Sequence, residues 1–243
     1  MALAPIDRAT LAYLGLALAF TLACGPHELP QSVLLPAALL LAALVAGFAA
    51  PRARRGGSLG RFLGEFYPLL LAVALYTHVG LVNAARGVSH DERVICWEAA
   101  LFGGQPAVAW IRACPSPLLS TLMHAAYLSY YAVLAAAPLG MWWSERQAAA
   151  RETLLLIMLA FYVCYAISLF FPVAGPRYVF PHTRNAATAV PLAAFTERLL
   201  ERGSAWGTAF PSSHVAAGLV AALCAWRRLR PLGLVLLPLA LVL

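Results

Sequence analysis

A Pro-Ser-Ser-His tetrad at residues 211–214 opens an apolar run and brings two hydroxyls and an imidazole together. Ser hydroxyls and the free N–H groups of a helix start donate hydrogen bonds to anions, and the helix dipole favours negative charge there. The imidazole of His214 exchanges protons near neutral pH. The tetrad therefore predicts a site for an anionic, tetrahedral group. The simpler alternative is an N-cap that only starts a helix.

A second set of polar side chains lies upstream, in the segment FFPVAGPRYVFPHTR at residues 170–184. It includes Arg177 and Arg184, whose guanidinium groups offer a rigid fork of donors that matches phosphate. This segment and the tetrad stand at the two ends of one predicted loop, 174–210, so both emerge at the same membrane face. We therefore expect them to converge on one pocket.

The composition is that of a membrane protein. Of the 243 residues, 62% are hydrophobic and only 11% are charged, which is less polar surface than a soluble domain needs. Every basic residue is Arg, and the net charge is +7. Because no basic stripe stands outside the apolar segments, this charge indicates contact with membrane lipids and no nucleic-acid partner.

Apolar runs predict the membrane helices, each of which needs about 20 residues. Six stretches meet or approach this length, at 10–24, 32–50, 66–85, 117–141, 153–173 and 211–226. We predict an all-α, polytopic fold in which residues 1–243 form one transmembrane domain, with a six-helix bundle as core and interfacial helices beside it. A further apolar run follows Pro231 and reaches Leu243.

Arg placement predicts the orientation of the bundle. The short loops 51–61 and 226–231 are rich in Arg, and such loops stay in the cytoplasm. Strict alternation then puts 86–116 and 174–210 outside. We predict a multi-pass protein of the plasma (inner) membrane, with 174–210 as an extracytoplasmic active-site loop.

The 86–116 loop has a pattern of its own. Ser89 and Glu92 have the spacing of a capping box, and Asp91 with Glu92 fits the acidic first turn of a helix. Gly103-Gly104 ends that helix, and Pro106 starts a second. An amphipathic pair of helices that carries Trp is typical of the membrane interface. We therefore predict an extracytoplasmic interfacial helix pair.

Cysteine and histidine usage leaves two alternatives open. Cys96 and Cys114 share the 86–116 loop, and they either pair or stay free, because nothing in their spacing decides. His78 and His124 fall in or beside spans, where they either have a function or bond neighbouring helices. No Cys/His cluster has metal-ligand spacing, so we predict no metal site.

The segments GPRY (175–178) and FPSSH (210–214) resemble two of the three motifs of the type 2 phosphatidic acid phosphatase superfamily. The nearer likeness is to its aureobasidin-resistance branch, the inositol phosphorylceramide synthase-like proteins, whose second motif reads Phe-Pro-Ser-x-His. Two upstream segments, ERVICWEAALFGGQP (92–106) and AAYLSYY (125–131), extend the resemblance. It implies a six-helix membrane core with an extracytoplasmic active site.

The resemblance also implies a site, a substrate and a mechanism. The site residues it implies are His214 as catalytic acid, Arg177, Ser212 and Ser213 for phosphate binding, and Tyr178 and His182 at the pocket rim. The substrate is a lipid phosphate, hydrolysed or transferred as a phosphorylated head group. No cofactor and no metal is required. His214 would protonate the leaving oxygen.

The third motif of the superfamily has no counterpart in the sequence. It holds a His that becomes phosphorylated and an Asp four residues later that orients it, and here the only Asp residues are Asp7 and Asp91. The expectation is that the sequence stops before this motif, so that residues 1–243 bind substrate but do not turn it over. The alternative is a non-enzymatic membrane transporter or scaffold in which the tetrad is only a helix cap.

Overall fold

The computed structural model describes residues 3–28 and 30–243. In these residues the secondary structure is helical, apart from one isolated β-bridge. The helices are α1 (Pro5–Cys24), α2 (Gln31–Leu44), α3 (Ala50–Ala53), α4 (Ser58–Arg86), α5 (Asp91–Phe102), α6 (Pro106–Ala113), α7 (Pro117–Trp143), α8 (Gln147–Phe170), α9 (Pro176–Val179), α10 (Pro191–Gly203), α11 (Ser213–Arg228) and α12 (Arg230–Val242). A π-helical turn, Val45–Ala49, joins α2 to α3. The all-α prediction is confirmed.

Five helical segments are long and apolar enough to cross a membrane, within the described ranges. They are Pro5–Cys24, Gln31–Ala53, Ser58–Arg86, Pro117–Trp143 and Gln147–Phe170. The protein is therefore a multi-pass membrane protein, as predicted. The sixth predicted span corresponds to α11, which has 16 residues, and the last apolar run corresponds to α12, which has 13.

Helix α11 lies at the centre of the second half of the bundle. It packs against α7, α8 and α12, while α8 also packs against α1 and α4. The face of α11 that meets these helices is made of alanines, and Ala217, Ala221 and Ala225 are fully buried. Small side chains let helix backbones approach closely in a membrane, where packing rather than the hydrophobic effect drives association.

Local sequence explains where the key helices begin and end. Ser212 caps α11, because its hydroxyl accepts a hydrogen bond from the Val215 N–H over 3.3 Å. Gly103 closes α5 with φ at +73°, a left-handed conformation that favours glycine. The predicted capping box of Ser89 with Glu92 is wrong: the N-cap residue is His90, whose side chain makes no cap hydrogen bond. The Ser89 hydroxyl instead accepts from the Asp91 N–H over 3.2 Å and donates to the Asp91 carboxylate.

A buried network of charges joins the helices at the end of the bundle opposite the predicted site. Arg54, between α3 and α4, forms two hydrogen bonds of 2.6 and 2.8 Å with Asp7 on α1. The Tyr67 hydroxyl donates to the same carboxylate over 3.0 Å. Glu65 on α4 lies 3.4 Å from Arg54 and 2.7 Å from Arg151 on α8. Three helices are thereby held together at this end.

Candidate functional site

The two motif loops lie side by side. Val173, just ahead of GPRY, forms a parallel β-bridge with Thr208, just ahead of FPSSH. The Val173 N–H donates to the Gly207 carbonyl over 3.2 Å, and the Ala209 N–H donates to the Val173 carbonyl over 2.9 Å. The backbone leading into the first motif is thus fixed against the backbone leading into the second.

Glycine is required at one position on each side of this pairing. Gly175 has φ at +95°, and a Cβ atom there would lie 2.7 Å from the Ala209 Cβ. Gly207 has φ at +80°, and its Cβ would lie 2.8 Å from the Asn83 side-chain nitrogen. Both the backbone conformation and the close approach therefore disfavour a larger residue.

The Asp91 carboxylate bonds to the first motif loop. One of its oxygens accepts from the Ala174 N–H over 2.9 Å and the other from the Gly175 N–H over 2.7 Å. Partial burial disfavours the charge, but the hydrogen bonds from the Ser89 hydroxyl and these two N–H groups outweigh it and lower the pKa of Asp91. In the sequence Asp91 fits only a helix first turn, so this contact was missed.

Asn83, at the end of α4, holds the second motif loop. Its amide nitrogen donates to the Ser168 carbonyl over 3.0 Å and to the Gly207 carbonyl over 3.3 Å. The side chain is fully buried. Nothing in the sequence distinguishes this asparagine from an ordinary polar residue near a span end, so it too was missed.

The tetrad residues have different surroundings. Ser212 is exposed and caps α11, as the N-cap alternative predicts. Ser213 is buried, with 4% of its surface exposed. His214 points into the bundle, where its ring lies 4.3 Å from the Tyr130 ring and 5.8 Å from the Tyr127 ring, measured between centroids. The imidazole is therefore held among aromatic side chains.

His214 and Ser213 line a partly open cavity of about 210 Å³. Its walls come from α4, α7, α8 and α10, and five of its lining residues are tyrosines: Tyr76, Tyr127, Tyr130, Tyr131 and Tyr165. The other lining residues are apolar, and they include Phe161 on α8 and Leu199 and Leu200 on α10. The cavity is thus mainly apolar, with phenol and imidazole groups as its polar members.

Arg177 belongs to the single helical turn of α9, directly after the Asp91-bound peptides. Its Nη1 atom is buried and has no hydrogen-bond partner among the described residues. Arg177 is not among the residues that line the His214 cavity. Tyr178 and His182, predicted at the pocket rim, are exposed. The structure thus pairs the loop backbones but leaves the Arg177 guanidinium outside that cavity.

The remaining candidates have simpler explanations. His78 is buried and bonds across helices to the Thr21 hydroxyl, with 3.0 Å between Nε2 and Oγ1. His124 lines a separate cavity of about 220 Å³. Cys96 and Cys114 are free and exposed. Within the described part of the chain, no group of three or more potential metal ligands occurs.

Comparison with protein families matches residues 93–243 to the PAP2 superfamily, which is more than half of the chain. The chain belongs to the PAP2 superfamily. No curated protein and no solved structure matched it. PAP2 proteins are phosphatase-type membrane enzymes that act on lipid phosphates. The match includes both motif loops, whereas Asn83 and Asp91, which hold them, come before it.

Proposed function

We propose that this PAP2 protein is a lipid-phosphate phosphatase or a phospho-head-group transferase that works through a phosphohistidine at the extracytoplasmic face. Its substrate is a phosphate ester or pyrophosphate of a membrane lipid. The observation that carries the proposal is the pairing of the two motif loops through Val173 and Thr208. It brings the loop that bears Arg177 against the loop that leads into His214.

One buried nitrogen of the Arg177 guanidinium supports an anionic ligand. A buried donor without a partner is uncommon, since most buried polar groups are hydrogen-bonded. The Arg177 Nη1 atom is such a donor, in the described part of the chain. A phosphate oxygen would satisfy it, and a guanidinium can bind two oxygens at once.

Each site residue has a role that its position suits. Arg177 holds phosphate oxygens, and the Ser212 hydroxyl with the Ser213 N–H binds the same group at the positive end of α11. His214 gives its proton to the leaving lipid oxygen as the P–O bond to the lipid breaks and the attacking group forms its own bond to phosphorus. The lipid portion lies in the tyrosine-lined cavity next to His214. The attacking group is not assigned, because no His in the sequence has an Asp four residues later.

The finer placement in the family is also a proposal. The second motif has the Phe-Pro-Ser-x-His form at residues 210–214, which favours the aureobasidin-resistance, inositol phosphorylceramide synthase-like branch. The first motif usually contains a Lys in this superfamily, and this branch tolerates its absence from the sequence. The Arg-rich loops favour an inner membrane with residues 174–210 outside.

Anion binding tests the proposal. Orthovanadate, a phosphate analogue, should raise the melting temperature of the detergent-solubilised protein, and at 100 times its Kd it adds about 2.7 kcal/mol. Arg177→Ala should abolish the shift. Arg177→Lys should weaken binding about tenfold, because an ammonium cannot replace the planar fork.

Arg184→Ala is the matched control, since Arg184 is an exposed cation of the same loop. It should leave the vanadate shift unchanged. Equal shifts for the wild type and Arg177→Ala would remove Arg177 from the site. No shift in the wild type would contradict the proposal as a whole.

The cap that Ser212 forms favours the second candidate, a non-enzymatic membrane protein. In that case Ser212→Ala costs about 1 kcal/mol of stability, as an N-cap does, and vanadate has no effect on any variant. In the enzyme, the same substitution lowers both stability and vanadate affinity. The two candidates therefore predict the same loss of stability in Ser212→Ala, but they differ in whether vanadate binds.

A further inference from the structure

Only two residues, Ala174 and Gly175, separate the β-bridge at Val173 from the start of α9 at Pro176. Val173 is fixed on one side by its hydrogen bonds to Gly207 and Ala209. On the other side, Pro176 starts the helical turn that carries Arg177, and its ring restricts the backbone. The direction in which Arg177 leaves the loop is therefore set by the orientation of the Ala174 and Gly175 peptides.

Asp91 binds the N–H groups of both connecting residues, over 2.9 and 2.7 Å. We propose that Asp91 is a positioning residue of the phosphate site, which fixes these two peptides and thereby aims the Arg177 guanidinium. The inference rests on the proposed function, because it gives Arg177 a ligand. Asp91 does not touch the phosphate itself.

The carboxylate is itself held in place. The Ser89 hydroxyl donates to it, and the His90 N–H donates to the Pro172 carbonyl over 2.8 Å. The His90 ring stacks on the Phe171 ring at 4.3 Å between centroids. The start of α5 thus contacts residues 171–175 through several neighbouring residues. These contacts fix the Asp91 carboxylate within hydrogen-bond distance of the first motif loop.

The sign of the effect separates positioning from electrostatics. A carboxylate near an anion site repels the anion, so neutralising it would tighten binding if charge alone mattered. If Asp91 aims Arg177, neutralising it weakens binding. Asp91→Asn keeps the shape of the side chain, but its amide nitrogen cannot accept a hydrogen bond from one of the two N–H groups.

The test measures the orthovanadate Kd of the full chain from the ligand-dependent melting temperature. Asp91→Asn should weaken vanadate binding about tenfold, the effect expected for losing a hydrogen bond to a charged group. In the Arg177→Lys background, where vanadate binding is weaker but measurable, Asp91→Asn should cause a smaller additional loss than in the wild type, since it acts through the residue at position 177. Ser89→Ala, which leaves the carboxylate intact, should give a smaller loss.

Glu98→Gln is the matched control. Glu98 lies on α5, as Asp91 does. Both residues line a cavity of about 120 Å³ together with Gly175. Glu98 makes no side-chain hydrogen bond or ion pair among the described residues. Its neutralisation should leave the vanadate Kd unchanged or slightly lower. A Glu98→Gln loss equal to that of Asp91→Asn would make the effect one of charge and overturn the inference.

Two other outcomes decide the matter. If Asp91→Asn lowers the melting temperature but keeps the wild-type Kd, Asp91 has only a structural role and the inference fails while the proposed function stands. If the wild type does not bind vanadate, the proposed function is wrong, and the inference, which rests on it, is wrong as well. Should Asp91→Asn not fold, an unchanged Kd in Ser89→Ala would count against positioning.

Discussion

Charged side chains at one end of the bundle are paired with each other, and at the other end they are not. At the first end, Asp7 is fully buried, Glu65 is 5% exposed and Arg54 is 14% exposed, and each has an oppositely charged partner within 3.4 Å. The buried Arg54 Nε makes no hydrogen bond, but it faces Glu65 at 3.4 Å. At the motif end, Asp91 binds backbone N–H groups, and the buried Arg177 nitrogen has no partner within the described ranges.

The difference indicates different tasks. A buried ion pair fixes the relative position of the helices that carry it, and removing one partner is strongly destabilising. A carboxylate that accepts from the N–H groups of a loop shapes that loop, and a cation left without a partner can accept a ligand. We infer that the first end stabilises the bundle, whereas the motif end binds a ligand.

Labelling would establish which end faces which side of the membrane, and the expected effect is all-or-none. In a variant without native cysteines, Ser204→Cys should react with an impermeant thiol reagent in intact cells. Ser58→Cys, in the Arg-rich loop, should react only after permeabilisation. The reverse pattern would contradict the predicted orientation and put the motif loops in the cytoplasm.

Arg54→Ala should cause the largest loss of stability. It leaves the Asp7 carboxylate, which is fully buried, without its cation, at a cost of about 3–5 kcal/mol in the free energy of unfolding. Denaturant titration in detergent measures this loss. Vanadate affinity per folded molecule should not change, because the network lies at the other end.

The exposed pair of Arg228 and Glu152 is the matched control for Arg54. Its atoms are 2.5 Å apart, and both side chains are 51% exposed. Glu152→Gln should lower the free energy of unfolding by no more than about 1 kcal/mol, because exposed ion pairs usually contribute no more than this. If the two substitutions were equally destabilising, burial would not explain the stability of this end.

The sequence predicted the fold well because each helix signal is local. Apolar runs of sufficient length, Pro at helix starts and Gly at helix ends depend on neighbouring residues, and they gave most spans to within several residues. The motif segments could also be identified, since the residue types at 175–178 and 210–214 carry their own chemistry.

Contacts between distant segments could not be predicted in this way. An acidic residue at a helix start has the same sequence pattern whether it binds its own helix or, as Asp91 does, a loop 83 residues away. The partnership of Asp7 with Arg54 likewise spans 47 residues. The direction of the Arg177 side chain depends on such contacts, so its position outside the His214 cavity was not foreseen.

Gly175→Ala should cost less stability than Arg54→Ala, but it should specifically reduce ligand binding. Forcing Ala into φ near +95° with ψ near 172° costs roughly 1–3 kcal/mol, and its Cβ would lie 2.7 Å from the Ala209 Cβ. The loop must shift, so the Asp91 hydrogen bonds lengthen and Arg177 is misdirected. We expect vanadate affinity to fall about tenfold, the equivalent of losing one hydrogen bond to a charged group.

Gly103→Ala is the control for this last prediction, because it places Ala at a positive φ outside the first motif loop. Gly103 also has a left-handed backbone, with φ at +73°, but no atom lies within 4 Å of a Cβ there. Its substitution should cost about 1 kcal/mol of stability and leave the vanadate Kd unchanged. If Gly175→Ala loses stability but binds vanadate as the wild type does, the conformation of the first motif loop does not control anion binding. The motif end would then resemble the paired end, with its contacts serving stability alone.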